Sequence, residues 1–359
     1  MMFLSTFQRC FAAFAPHKQV SCIRPHGTTM TAAFSSSTAI KSRALFIDTD
    51  AGYDDILAIS NLLNTGHNIP FISTVGGIQS CTDRSAQFLQ KVYPDTRVFP
   101  GRSQTFRGDS PKWLLDFRNG LNDIMNSVGT FSVKFPKNHH DSISQIAELL
   151  KKYPDQGVDL MCLGPLSNIA SWSEDDELLR LIQSKINQIW IMGGNIPGFD
   201  DAEFNFAQDP AAVATVLKNN ILRNKIHILP AETCQKHSPP SIEWNILMEN
   251  GMEGSDIMSK VLNATSSWDD LKYDSLCAFS YAKPNCVSYS RMNVKVNEIT
   301  GLLLPSTDTD DGNLSLKMIL DIAIDAPDED GFLNWLRLTI DPEEGYISSQ
   351  TTQRSDPIQ

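Results

Sequence analysis
The chain has 359 residues, 41% of them hydrophobic and 20% charged, with a formal net charge of −12. That composition suits a globular protein with a sizeable core, and with no apolar run of about 18 residues the sequence predicts no membrane-spanning helix. Residues 1–43 carry Arg9, Lys18, Arg24, Lys41 and Arg43 and no acid; removing those five from 30 basic residues leaves the body 25 against 42 acidic ones, or −17. Such a body repels nucleic-acid phosphates and anionic membranes, which excludes both as partners and favours a small neutral or metal-bridged ligand.

The acid-free segment 1–43 is rich in Ser, Thr, Ala and Phe, the composition of an organellar transit peptide, and predicts import into a mitochondrion or plastid. The alternative is a cytoplasmic form, with Met30 as a second start. From residue 44 onward, apolar runs alternate with amphipathic ones. In chain order the pattern predicts a strand at Ala44–Ile47, a helix at Asp54–Asn64, a strand at Phe71–Val75, a helix at Thr82–Val92 and a short strand at Arg97–Phe99. Residues 102–140 lack periodicity and read as an extended loop near the site, with His139 and His140 exposed rather than metal-bound. Ser142 and Gln145 form a capping box that predicts a helix to Lys152.

A buried strand at Val158–Leu163, a helix at Leu166–Ser173, a strand at Gln188–Met192, a helix at Pro210–Asn219 and a strand at Lys225–Leu229 complete the pattern. Asp308-Thr-Asp310-Asp311-Gly312 has glycine fifth and Ile319 twelfth, which does not fit an EF-hand and reads as a polar turn. The seven cysteines include no Cys-x-x-Cys pair; Cys162 and Cys277 read as small core residues of a chain kept reduced. β-α alternation of this kind predicts an α/β fold, a mostly parallel sheet with helices on both faces, with ligands at the carboxyl ends of the strands. One domain is expected over residues 44–345, followed by a polar tail over 346–359.

Asp48, Asp50, Asp54 and Asp55 follow the apolar run Leu45-Phe46-Ile47, with Gly52 at the bend between them. A helix N-terminus favours one or two acids, not four, and like charges so crowded repel unless a cation sits among them. Ca²⁺ and Mg²⁺ are the hard ions that carboxylate oxygens select.

The segment Asp48-Thr-Asp50-Ala-Gly52-Tyr-Asp54-Asp55 resembles the N-terminal signature of the inosine-uridine nucleoside hydrolase family. Four later segments match in order: Gly164-Pro-Leu-Ser-Asn168, Met192-Gly-Gly, Ala202-Glu-Phe-Asn205 with Asp209-Pro-Ala-Ala, and Tyr273-Asp274. Together they span Ala44 to Pro284. The resemblance implies a Rossmann-like core and hydrolysis of the N-glycosidic bond of a ribonucleoside, a small-molecule substrate, by the chain alone or as a homo-oligomer. It implies one Ca²⁺ held by Asp50, Asp55, Asp274 and the Leu163 carbonyl, with Asp50 also the general base. Glu203 and Asn205 would bind the sugar, with Met192 near it.

Asn168 reads as structural, and Asp48 and Asp54 as residues that orient their neighbours. Three positions depart from the family pattern. Ile78 stands where the family has an asparagine, Tyr273 where a histidine acts on the leaving base, and Asn195-Ile-Pro-Gly-Phe follows the glycine pair. Tyr273 could still donate a proton to that base. The departures keep open a catalytically weak or inactive relative that binds a ribosyl ligand or a partner. A haloacid-dehalogenase-type phosphatase, suggested by Asp48-Thr-Asp50, leaves the later segments unexplained.

Overall fold
The computed structural model describes residues 43–79, 81–107, 139–236, 272–306, 318–325, 331–333 and 335–336. In order the elements are β1 (Ala44–Thr49), α1 (Tyr53–Asn64), β2 (Asn68–Thr74), α2 (Thr82–Val92), β3 (Arg97–Pro100), α3 (His139–Leu150), β4 (Val158–Cys162), α4 (Ser167–Ser173), α5 (Asp176–Lys185) and β5 (Ile186–Met192). They continue as α6 (Phe204–Gln208), α7 (Pro210–Lys218), α8 (Asn220–Arg223), β6 (Ile226–Leu229), α9 (Ala231–Lys236), α10 (Lys272–Ala282), β7 (Ser288–Val296), β8 (Leu303–Pro305) and β9 (Met318–Asp325).

One nine-stranded sheet runs in the order β3-β2-β1-β4-β5-β6-β9-β7-β8. β3 through β9 in that order pair in parallel, and β7 is antiparallel to both its neighbours, so it is the one reversed strand. The expected mostly parallel α/β sheet is what forms. From β1 the chain moves outward to β2 and β3, then returns to add β4 on the other side of β1. Between β1 and β4, therefore, lies the topological switch point, where open α/β sheets place their ligands.

β1 explains why helices cover both faces. All six of its residues are buried, and successive side chains point to opposite faces. Leu45 and Ile47 join the core made with α1, α2 and α10, whereas Ala44 and Phe46 join the one made with α3, α4, α5 and α7. Each large apolar side chain taken from water in this way contributes about 1.5–3 kcal/mol. Phe46 stacks obliquely on Phe71 at 5.0 Å and meets Tyr153 edge-on at 5.6 Å.

Two local expectations are corrected. The helix assigned to Ser142 starts at His139, so Ser142 is not its cap, and His139 and His140 lie in its first turn rather than in a loop. Residues 108–138, Asp308–Gly312 and the tails before Arg43 and after residue 336 lie outside the described residues. Arg43 itself belongs to the folded body: its Nε donates to the buried Asp159 at 2.7 Å. Asp159 also accepts from Asn187 Nδ2 at 2.9 Å and from the Gln188 amide at 3.2 Å. Cys162 and Cys277 are buried, and the five described cysteines are free thiols. Among the described residues, no helix is long and apolar enough to cross a membrane.

Candidate active site
The site is built at the carboxyl end of β1. Extended backbone ends at Thr49, and Ala51 takes a left-handed φ of 60°, a conformation that costs a non-glycine residue about 1–2 kcal/mol. Gly52 then caps α1, its N–H donating to Asp55 Oδ2 at 3.0 Å. Thr49 joins the same turn: its hydroxyl donates to the other Asp55 oxygen and accepts the Ala51 N–H at 3.0 Å. Asp55 is thereby fixed at the helix start with its carboxylate turned inward.

Asp54, Asp55 and Asp274 converge, each offering an oxygen within 4.8 Å of the others. Asp274 arrives from the first turn of α10, which packs along α1, and its N–H approaches Asp54 Oδ2 at 3.5 Å. Asp54 thus orients a neighbour, as expected, and also stands in the carboxylate group. Asp50 lies alongside: its Oδ2 accepts the Ile78 N–H at 2.8 Å. Burial raises the Asp55 carboxyl well above the usual carboxylate range, and repulsion from Asp50 and Asp54 adds to it. Asp274 is raised for the same reasons, burial first, then Asp54, Asp55 and Asp50. An all-oxygen, buried, mutually repelling donor set is what a hard divalent cation fits.

Asp48 and Asn168 form the support beneath. Asp48 accepts from Ser73 Oγ at 2.5 Å and Asn168 Nδ2 at 2.7 Å, and burial raises its pKa to about 7. Asn168 also donates to the Thr74 carbonyl at 3.0 Å and accepts the Arg102 N–H at 2.9 Å. Asn168 thereby ties β1, β2 and the turn after β3 together.

On the β4–β5 side, Asn205 Nδ2 donates to the Leu163 carbonyl at 3.2 Å and the Met192 carbonyl at 3.3 Å. Glu203 caps the short α6, accepting from the Asn205, Phe206 and Gly194 N–H groups at 2.8, 3.1 and 3.1 Å. Burial raises its pKa to about 7 against the pull of those three donors. Gly194, at φ +76°, is the residue whose freedom lets its N–H turn to Glu203. Leu163, Met192, Glu203 and Asn205 are therefore one connected group. Tyr273 stands half-buried beside Asp274, with the Lys272 ammonium 5.5 Å from its ring centre.

Thr49, the Ile78 N–H and Lys272 were not singled out from the sequence. Thr49 could have been found, since a hydroxyl between two aspartates of a turn is placed to bond one of them. A backbone donor leaves no signature in side-chain identity. Ile78 puts an apolar side chain over this turn: its Cδ1 lies 3.3 Å from where a Cβ on Gly52 would be.

Residues 45–326 match the model of the family described as inosine-uridine preferring nucleoside hydrolase. The chain belongs to this family. It is 33% identical over 188 residues to uridine nucleosidase 1 of Arabidopsis thaliana, covering 49% of this chain and 53% of that protein. It is 27% identical over 187 residues to the non-specific ribonucleoside hydrolase RihC of Escherichia coli, covering 49% of this chain and 58% of that one. The chain thus spans little more than half the length of the curated relatives it matches.

Among solved structures, a plant nucleoside hydrolase, PpNRh1, superposes with a TM-score of 0.67 at 20% identity, covering 83% of this chain and 99% of that one. An inosine-uridine preferring nucleoside hydrolase from Bacillus anthracis gives 0.62 at 18%, covering 84% and 99%. These likenesses establish a nucleoside-hydrolase fold.

Proposed function
We propose that this family member hydrolyses the N-glycosidic bond of ribonucleosides, releasing ribose and a free base, with Ca²⁺ as its ion. The observation that carries the reading is the buried convergence of Asp54, Asp55 and Asp274 at the β1–β4 switch point with Asp50 beside them. The matched relatives, named as a uridine nucleosidase and a non-specific ribonucleoside hydrolase, support a ribonucleoside as the substrate class.

Asp50, Asp55, Asp274 and the Leu163 carbonyl would hold the ion, joined by Asp54. When bound, the ion supplies a positive centre that orients the ribose hydroxyls and acidifies a water. Asp50, one oxygen of which accepts the Ile78 N–H, would take a proton from the attacking water as general base. As that water bonds to the anomeric carbon, the C–N bond breaks and its electron pair leaves with the base. The Tyr273 phenol donates a proton to that base. Asn205, with its NH₂ committed to two carbonyls, keeps its oxygen for a sugar hydroxyl, and Glu203 accepts another through lone pairs its three N–H donors leave.

Ile78 favours the second reading, a weak or inactive enzyme, because it places a hydrocarbon side chain over the carboxylate turn where a polar group would help. Ribose release by the wild type at saturating Ca²⁺ separates the two, and Asp50→Asn tests the base. Under the catalytic reading it abolishes ribose release at saturating Ca²⁺, by about 10²–10⁴-fold, beyond any loss of ion binding measured by calorimetry. Turnover unchanged in that variant would contradict the assignment of Asp50.

A further inference from the structure
Lys272 is a charged side chain in an unusual place. It is the first residue of α10 and only 4% exposed, whereas lysines are almost never fully buried unless something holds the charge. Its ammonium lies 5.5 Å from the centre of the Tyr273 ring, within the range of a cation–π contact. The Tyr273 carbonyl accepts from Cys234 Sγ of α9 at 3.9 Å. The Lys272 charge reaches that thiol, as do those of Glu203 and Glu232.

We propose that Lys272 is a positioning residue for the leaving-group side of the site, its buried ammonium bearing on the Tyr273 ring to keep the phenol aimed at the departing base. The inference rests on the nucleoside-hydrolase reading and on the role given there to Tyr273. The Tyr273 ring packs against the core made with α1, α2 and α10, and the desolvated cation 5.5 Å from its centre adds an electrostatic constraint on how it is turned. The contact runs through the ring, so it needs a cation and not a lysine as such.

The test uses the full chain with saturating Ca²⁺. Lys272→Met is expected to lower kcat on natural nucleosides about tenfold, the scale of one desolvated cation–π contact, with KM within threefold. Lys272→Arg recovers most of that loss. p-Nitrophenyl riboside, whose leaving group departs without protonation, changes less than twofold, and in a Tyr273→Phe background Lys272→Met adds nothing. Equal loss on both substrates, or loss that multiplies with Tyr273→Phe, would overturn the proposal. Should Lys272→Met fail to fold, Lys272→Gln takes its place.

A wild type that releases no ribose counts against the nucleoside-hydrolase reading alone. The Lys272 contact is then read from the ¹⁹F resonance of 3-fluorotyrosine at position 273. That resonance is expected to move in Lys272→Met and to stay in Lys272→Arg, and a resonance unmoved in Lys272→Met refutes the contact.

Discussion

The Ile78 N–H donates to Asp50 Oδ2 at 2.8 Å across 28 residues of chain, so the turn after β2 aims the carboxylate at the end of β1. Gly77 makes this approach feasible: a Cβ there would lie 2.0 Å from the same oxygen. Gly77→Ala should push the Asp50 carboxylate aside while leaving the sheet intact. The expected result is a loss of about 10²-fold in ribose release, the lower end for a displaced general base, with the melting temperature lowered by a few degrees at most. Steady-state kinetics and thermal denaturation of the same variant check both halves.

Ion binding should show in stability as well as in activity. The carboxylates of Asp55 and Asp274 are buried and repel their neighbours, a strain that a bound dication relieves. Ca²⁺ at about 100 times its Kd should add about 2.7 kcal/mol to the stability of the chelated protein. Asp55→Ala should remove that increment and the calorimetric binding heat together. Undiminished calcium binding in Asp55→Ala would mean that the ion sits elsewhere.

At the far end of the sheet, His227 is a buried neutral histidine. It stacks on Trp190 at 4.8 Å, meets Tyr289 edge-on at 5.5 Å and bonds Gln188. Burial lowers its pKa from 6.5 to about 4, against the opposing fields of Asp321 and Asp159, with Arg291 adding to the lowering. A lowered folded-state pKa means that the unfolded chain takes up the proton first. Its contribution is present in full above pH 6.5 and is lost as pH falls towards 4. His227→Gln should flatten the dependence of unfolding free energy on pH between 6.5 and 4, measured by urea titration at each pH.

Arg43 is the first of the described residues and is tied to the sheet. Its partner Asp159 is 1% exposed, so Arg43→Ala leaves a buried charge without its cation and should cost about 3 kcal/mol. We propose that the basic segment ahead of it is a removable organellar address. Deleting residues 1–42 should then leave the melting temperature unchanged, while deleting 1–43 lowers it. A fluorescent fusion of that segment that stays diffuse in the cytosol would rule out import.

The parts of the fold legible in the sequence are those with one dominant period. β1, β2, β4, β5 and β6 are buried runs, and α2 matches its predicted bounds because its apolar residues fall on one face. α10 escaped because it is buried almost all round and shows no stripe. β7 escaped because most of its residues are half-exposed or exposed, so the antiparallel edge beyond β9 left little hydrophobic trace. At the site, crowded aspartates announce a cation, but residue identity does not say which carboxylate turns inward. Asp54 joins Asp55 and Asp274 because α1 starts where it does. The Ile78 N–H belongs to the backbone and carries no sequence signature.

The most direct test is ribose release by residues 43–359 from a panel of purine and pyrimidine ribonucleosides, measured with Ca²⁺ and again after chelation. The account predicts free ribose from at least one nucleoside with Ca²⁺, loss of that activity on chelation, and recovery when Ca²⁺ is restored. No ribose from any nucleoside at saturating Ca²⁺, or release indifferent to the chelator, would contradict it.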